Sequence, residues 1–164
     1  MKKTLALIVA VVALLVLALP MVSAQAATPN ATATLTFTED EINNSFRVTN
    51  PIDRHFTDVH VDLQAANGGQ VEITAVYTWR ARTGVQSANV SVVVVPEIEN
   101  GRVVWNVVSV TANGQPASAS LVSQINTWLA ASWRRWINAH APAGRVTAVS
   151  ITDTDITFTY TPRF

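Results

Sequence analysis

From residue 56 to residue 108 the chain alternates apolar and polar positions with a period of two, which confines this region to half-buried antiparallel strands. In residues 56–65, Val59, Val61 and Leu63 alternate with Asp58, His60, Asp62 and Gln64. In residues 70–82, Val71, Ile73, Ala75, Tyr77 and Trp79 keep the same period. The apolar positions are odd-numbered in both, so facing residues must sum to an even number and the loop between must hold an odd count. Asn67-Gly68-Gly69 is a three-residue loop with glycine available for the left-handed position, and it puts Leu63 opposite Ile73 and Val61 opposite Ala75.

Further on, Asn100-Gly101 is the strongest two-residue hairpin signal. It pairs Ile98 with Val103, Pro96 with Trp105 and Val94 with Val107. Val93, Val95 and Val108 make the opposite face apolar as well, which predicts cover on both faces. Pro96 lacks an N–H and belongs at an edge or a bulge. Asn113-Gly114-Gln115-Pro116 closes the meander.

The period changes to helical on either side. Residues 34–38 form a short strand with Leu35 and Phe37 between threonines, and Thr38-Glu39-Asp40-Glu41 matches a capping box. Ile42 and Phe46 give the short helix an apolar stripe, and Asn50-Pro51 ends it. Residues 117–140 read as a helix about 36 Å long at 1.5 Å per residue. Leu121, Ile125, Trp128, Leu129 and Trp136 line its stripe, Val122, Trp133 and Ile137 widen it, and Pro142 and Gly144 stop it. Strands at 146–151 and 156–160 follow, joined at Asp153-Thr154. The fold class expected is α+β: a strongly curved antiparallel sheet of about six strands wrapped around one long C-terminal helix, plus a short N-terminal helix.

The extreme N-terminus has a different character. Lys2 and Lys3 precede an unbroken apolar run from Leu5 to Leu19, 15 residues long. Pro20 breaks the run, and Ala24-Gln25-Ala26 is a small–x–small cleavage pattern. A spanning helix needs about 20 apolar residues, so residues 1–26 read as a signal peptide cut after Ala26. An uncleaved anchor, stretched by Met21 and Val22, is the competing reading. Residues 27–33 are a short tether, and 34–164 a single α+β domain, secreted or otherwise extracytoplasmic.

Of eleven Lys plus Arg, two are Lys2 and Lys3, so nine arginines face eleven Asp plus Glu after cleavage, a net charge of −2. That balance argues against nucleic acid, which demands a clustered basic surface. It also leaves a membrane reachable only through an uncleaved leader. No cysteine is present, so no disulfide contributes.

Asp58, His60 and Asp62 share a strand face with Gln64 and Glu72, but neighbours two apart lie roughly 7 Å from each other, a span that suits a solvated polar face better than a metal site. His55, His60 and His140 have no ligand spacing, and no Gly-x-Ser-x-Gly occurs. Glu39, Asp40 and Glu41 offset the dipole of a first helical turn. No catalytic residue, metal or cofactor is therefore expected, and an enzyme is not. Trp128, Trp133 and Trp136 beside Arg134 and Arg135 are open to two readings, core filling or the lining of an apolar groove.

The run Leu35-Thr36-Phe37-Thr38-Glu39-Asp40-Glu41-Ile42-Asn43, the strand ending Pro96-Glu97-Ile98-Glu99-Asn100-Gly101-Arg102, and Asn113-Gly114-Gln115-Pro116 leading into a helix with Leu121 and Ile125-Asn126 resemble small exported bacterial domains related to the tubular lipid-binding superfamily. In that family a bent antiparallel sheet wraps a long helix, and apolar ligands lie between them. The resemblance implies an exported, non-enzymatic domain that binds an apolar small molecule or lipid. Its lining would be Leu121, Ile125, Trp128, Leu129 and Trp136 from the helix, with Tyr77, Trp79 and Trp105 from the sheet. The alternative is a cell-envelope interaction module with a filled core and no ligand.

Overall fold

The computed structural model describes residues 31–50 and 54–162. The leader, its cleavage after Ala26, the uncleaved-anchor alternative and the start of the tether lie outside the described residues. The chain runs through β1 (Ala33–Thr38), α1 (Glu39–Ser45), β2 (Arg54–Gln64), β3 (Gln70–Ala81), β4 (Gly84–Glu99), β5 (Arg102–Ala112) and β6 (Gln115–Pro116). A long helix, α2, follows at 119–140, and then β7 (Gly144–Ile151) and β8 (Asp155–Pro162).

The strands form two antiparallel sheets, a larger one ordered β2-β3-β4-β5-β6 and a smaller one ordered β1-β8-β7. The expected single sheet of about six strands is thus corrected to two. The first strand pairs with the last, Leu35 facing Phe158 and Phe37 facing Ile156, rather than extending the meander.

Local rules explain most elements. Thr38 caps α1: its backbone N–H donates to Glu41 Oε2 at 2.9 Å, and the Glu41 N–H donates to Thr38 Oγ1 at 3.2 Å. The helix ends sooner than Asn50-Pro51, because Phe46 has turned extended (φ −67°, ψ 131°). Its ring is thereby buried beside Ile42. The Asn100-Gly101 hairpin has the expected register, Ile98 with Val103, Pro96 with Trp105 and Val94 with Val107. Positive φ at Asn100 (53°) and Gly101 (77°) is what a twist-matched two-residue turn requires. Pro96 lies beyond Val94, where β3 pairing ends at Val71, so its missing N–H interrupts no β3 pairing.

The first hairpin keeps the expected parity but not the pairs. Leu63 faces Val71 and Val61 faces Ile73, because the loop spans 65–69 around a 3-10 turn at Ala66–Gly68. Long-range packing accounts for the change: a Cβ on Gly69 would lie 2.9 Å from Ile151 Cβ, so this glycine is fixed against the smaller sheet. A turn at Arg82-Thr83, with Ala81 facing Gly84, starts the 16-residue β4.

Two bulges decide which side chains face inward. In β2 the register shifts between Thr57 and His60, with Asp58 left-handed at φ 51°, and this lets even-numbered Phe56 join odd-numbered Val61 and Leu63 in the core. In β5, Val108 is the extra residue between the pairs Val94–Val107 and Val93–Ser109. Beyond it Val110 and Ala112 pack on the core side that Trp105 occupies. Val108 itself is 57% exposed. Val93 and Val95 are only half-buried, so the expected cover over this outer face is absent among the described residues.

Candidate functional site

The helix decides where a site can form. α2 is capped by Ser118, whose Oγ accepts from the Leu121 N–H, and consists of Ala119–Ile125, a π-helical turn Asn126–Ala130 and Ala131–His140. Its large fully buried side chains, Ile125, Leu129, Trp133 and Ile137, are spaced by four. On a helix of 3.6 residues per turn each such step overshoots by about 40° and would carry the stripe off the sheet. The wider π turn absorbs that drift. Trp133, expected to one side of the stripe, is therefore fully buried, while Trp128 is only partly so.

Of the eight residues expected to line a ligand space, Ile125, Leu129 and Tyr77 are 0% exposed, Trp105 4% and Trp136 8%. Leu121, Trp128 and Trp79 are partly buried against the same core. The sheet contributes Val61, Ile73, Val92 and Val94, all at 0%. The aromatics contact one another. Phe56 stacks on Tyr77 with centroids 4.7 Å apart, and Tyr77 on Trp79 at 5.1 Å. Trp133 meets Trp105 edge-on at 5.2 Å and Phe46 edge-on at 5.8 Å, and stacks on Trp136 at 5.7 Å. The Nε1 groups of Trp105, Trp133 and Trp136 are buried without an acceptor among the described residues. Perpendicular ring pairs are the arrangement in which an N–H can meet a π face. Tyr77 also ties sheet to helix, its hydroxyl donating to Gln124 Oε1 at 2.5 Å. Burial raises the Tyr77 phenol above its usual 10.0, and Arg54 opposes that rise.

Open space lies at the margins. An apolar cleft of about 650 Å³ runs between the start of β5 (Val103, Val104), the end of α2 with the residues that follow it (Ile137, Ala141, Pro142) and Val146 of β7. A second hollow of about 500 Å³ lies beside Asn100, Arg145 and Thr161. A third of about 470 Å³ lies beside Asp58, Glu72 and Ser91. There Ser91 Oγ donates to Glu72 Oε1 at 2.5 Å and Gln64 Nε2 to Glu72 Oε2 at 2.9 Å, so both oxygens of this carboxylate are hydrogen-bonded within the face. Among the described residues no group of three His, Cys, Asp or Glu could hold a metal ion, and no helix is long and apolar enough to cross a membrane. Sequence reasoning missed the apolar cleft, whose walls come from three distant segments.

The architecture is that of an α+β domain, with one long helix against a five-stranded antiparallel sheet and a three-stranded sheet beside it. No protein-family model, curated protein or solved structure matches the chain.

Proposed function

We propose that this protein is an exported, non-enzymatic interaction module whose helix–sheet core is full and whose partners bind at its surface. The observation that carries this reading is the inner face of α2. Ile125, Leu129 and Trp133 at 0% exposure meet sheet valines and isoleucines at 0%, so an acyl chain there would have to displace packed side chains. The binding surface is the apolar cleft beside the helix end, whose volume of about 650 Å³ falls within the roughly 300–1,000 Å³ typical of ligand sites. That same cleft favours a second reading, an apolar ligand such as a lipid held at the helix end rather than beneath the helix.

Ile125→Trp tests the full core. Overpacking is expected to cost about 1–3 kcal/mol in urea unfolding, with no lipid co-purifying in native mass spectrometry of the exported protein. A stable Ile125→Trp variant, with bound lipid in the parent that the variant has lost, would return the ligand to the space between helix and sheet.

A further inference from the structure

On the side of α2 opposite the apolar cleft, the last two turns face the end of α1. With about 100° between successive helix residues, Ser132, Arg135, Trp136 and His140 share one side, and Ile137, Asn138 and Ala141 the other. Ser132, Arg135, Trp136 and His140 enclose, with Arg47 and Thr49, a pocket of about 270 Å³. Two guanidinium groups and an imidazole line it, and no described carboxylate does. The two guanidinium groups lie together in a domain whose acidic residues outnumber its arginines.

The cations are held in place. Arg47 donates from Nη1 to the carbonyls of Phe46 at 2.6 Å and Asn43 at 3.2 Å, and from Nη2 to Asn44 at 2.8 Å. Those bonds close the C-terminus of α1 and fix the guanidinium at the pocket wall. Arg135 is steadied by one bond, from Nη1 to Thr49 Oγ1 at 3.1 Å. Most of its five N–H donors have no partner among the described residues. Behind them Ser132, only 4% exposed, lines the pocket as a buried polar residue. Trp136 stacks on His140 with centroids 4.4 Å apart, giving the pocket a flat wall.

We infer that this pocket is an anion site for a phosphate group, carried by a soluble phosphate compound or by a phospholipid headgroup. Arg135 offers the pocket its guanidinium, Arg47 adds positive charge at the wall, and the Thr49 and Ser132 hydroxyls line it. A tetrahedral phosphate accepts from several sides, and a guanidinium meets it with paired N–H···O bonds. The inference does not depend on whether the helix–sheet core is full, and its test is separate.

Inorganic phosphate is titrated into the full protein while the Arg135 and Trp136 side-chain NMR resonances are followed. A saturable shift is expected, about tenfold weaker in affinity in Arg135→Gln and weakened also in Ser132→Ala, each with an unchanged circular dichroism spectrum. A tenfold loss corresponds to about 1.4 kcal/mol. Vesicles of phosphatidylglycerol, with phosphatidylcholine as the control, then separate the sources. Vesicle binding that inorganic phosphate competes away assigns a headgroup, and phosphate binding without vesicle binding assigns a soluble ligand. The inference is overturned if phosphate produces no saturable shift, or if Arg135→Gln responds as the parent does.

Discussion

Along the outer edge of β2, side chains meet the backbone groups of the larger sheet one at a time. Asn43 accepts from the Val61 N–H and donates to the Val61 carbonyl, both at 2.8 Å, as a neighbouring strand would. Glu39 Oε2 accepts from Leu63 N, Asp153 Oδ1 from Ala65 N, and Asn50 Oδ1 from Phe56 N. The far side of the sheet is closed differently. There β6 pairs only with Thr111 and Ala112, and Trp105 is buried against Trp133. One edge is finished by side-chain hydrogen bonds; at the other, backbone N–H groups of Ala117 and Val146 donate to the carbonyls of Val110 and Gly101, and the side chains are left to pack inward as apolar bulk. An unprotected edge would be a template for another strand, and the two solutions fail in different ways. A polar suture loses one contact per substitution, whereas aromatic packing is shared among many partners and is lost together.

The largest expected effect lies on the aromatic side. Trp133→Ala removes the ring that touches Phe46, Trp105 and Trp136, and should cost about 3–5 kcal/mol in chemical denaturation. Asn43→Ala should cost less, about 1–3 kcal/mol, by leaving the Val61 backbone groups unpaired in a partly buried setting. If Asn43→Ala proved the more damaging, the contrast between the edges would be reversed. Thr38→Ala, which removes the cap that orients Glu39 and Asn43, should cost about 1 kcal/mol by thermal unfolding.

The smallest effect is a pH dependence on the aromatic side. Because burial raises the Tyr77 phenol, the folded state favours its neutral form. Its contribution is whole below the unfolded value of 10.0 and is lost as pH rises from there through the higher folded value. The urea midpoint should therefore fall more steeply above pH 10 in the parent than in Tyr77→Phe. Equal slopes would remove Tyr77 as the cause.

What was legible in the sequence follows the range of the interaction. Asn100-Gly101 dictates a turn and with it a register, and Thr38 with Glu41 dictates a cap, because all the atoms involved lie within a few residues. The first hairpin was legible in parity only, since its loop length depends on Gly69 lying against Ile151. Trp133 and Trp128 exchanged roles because a π turn is decided by what the helix packs on, and hydrophobic spacing alone does not carry it. The division into two sheets depends on a pairing between opposite ends of the chain. Of the anion pocket, Arg135 beside the tryptophans was visible, but Arg47 and Thr49 arrive from the end of another helix.

That end-to-end pairing also orders events in time. Thr36 and Thr157 share a hydroxyl hydrogen bond although they stand 121 residues apart. A chain that emerges N-terminus first offers β1 long before β8 exists, so β1 must wait, unpaired, while the four-stranded meander β2–β5 closes through near neighbours. Contacts of such separation come late in folding, because the loop entropy between them is met only once the rest has collapsed. The smaller sheet is therefore a clasp, and a polypeptide halted anywhere before Asp155 carries an unmated first strand.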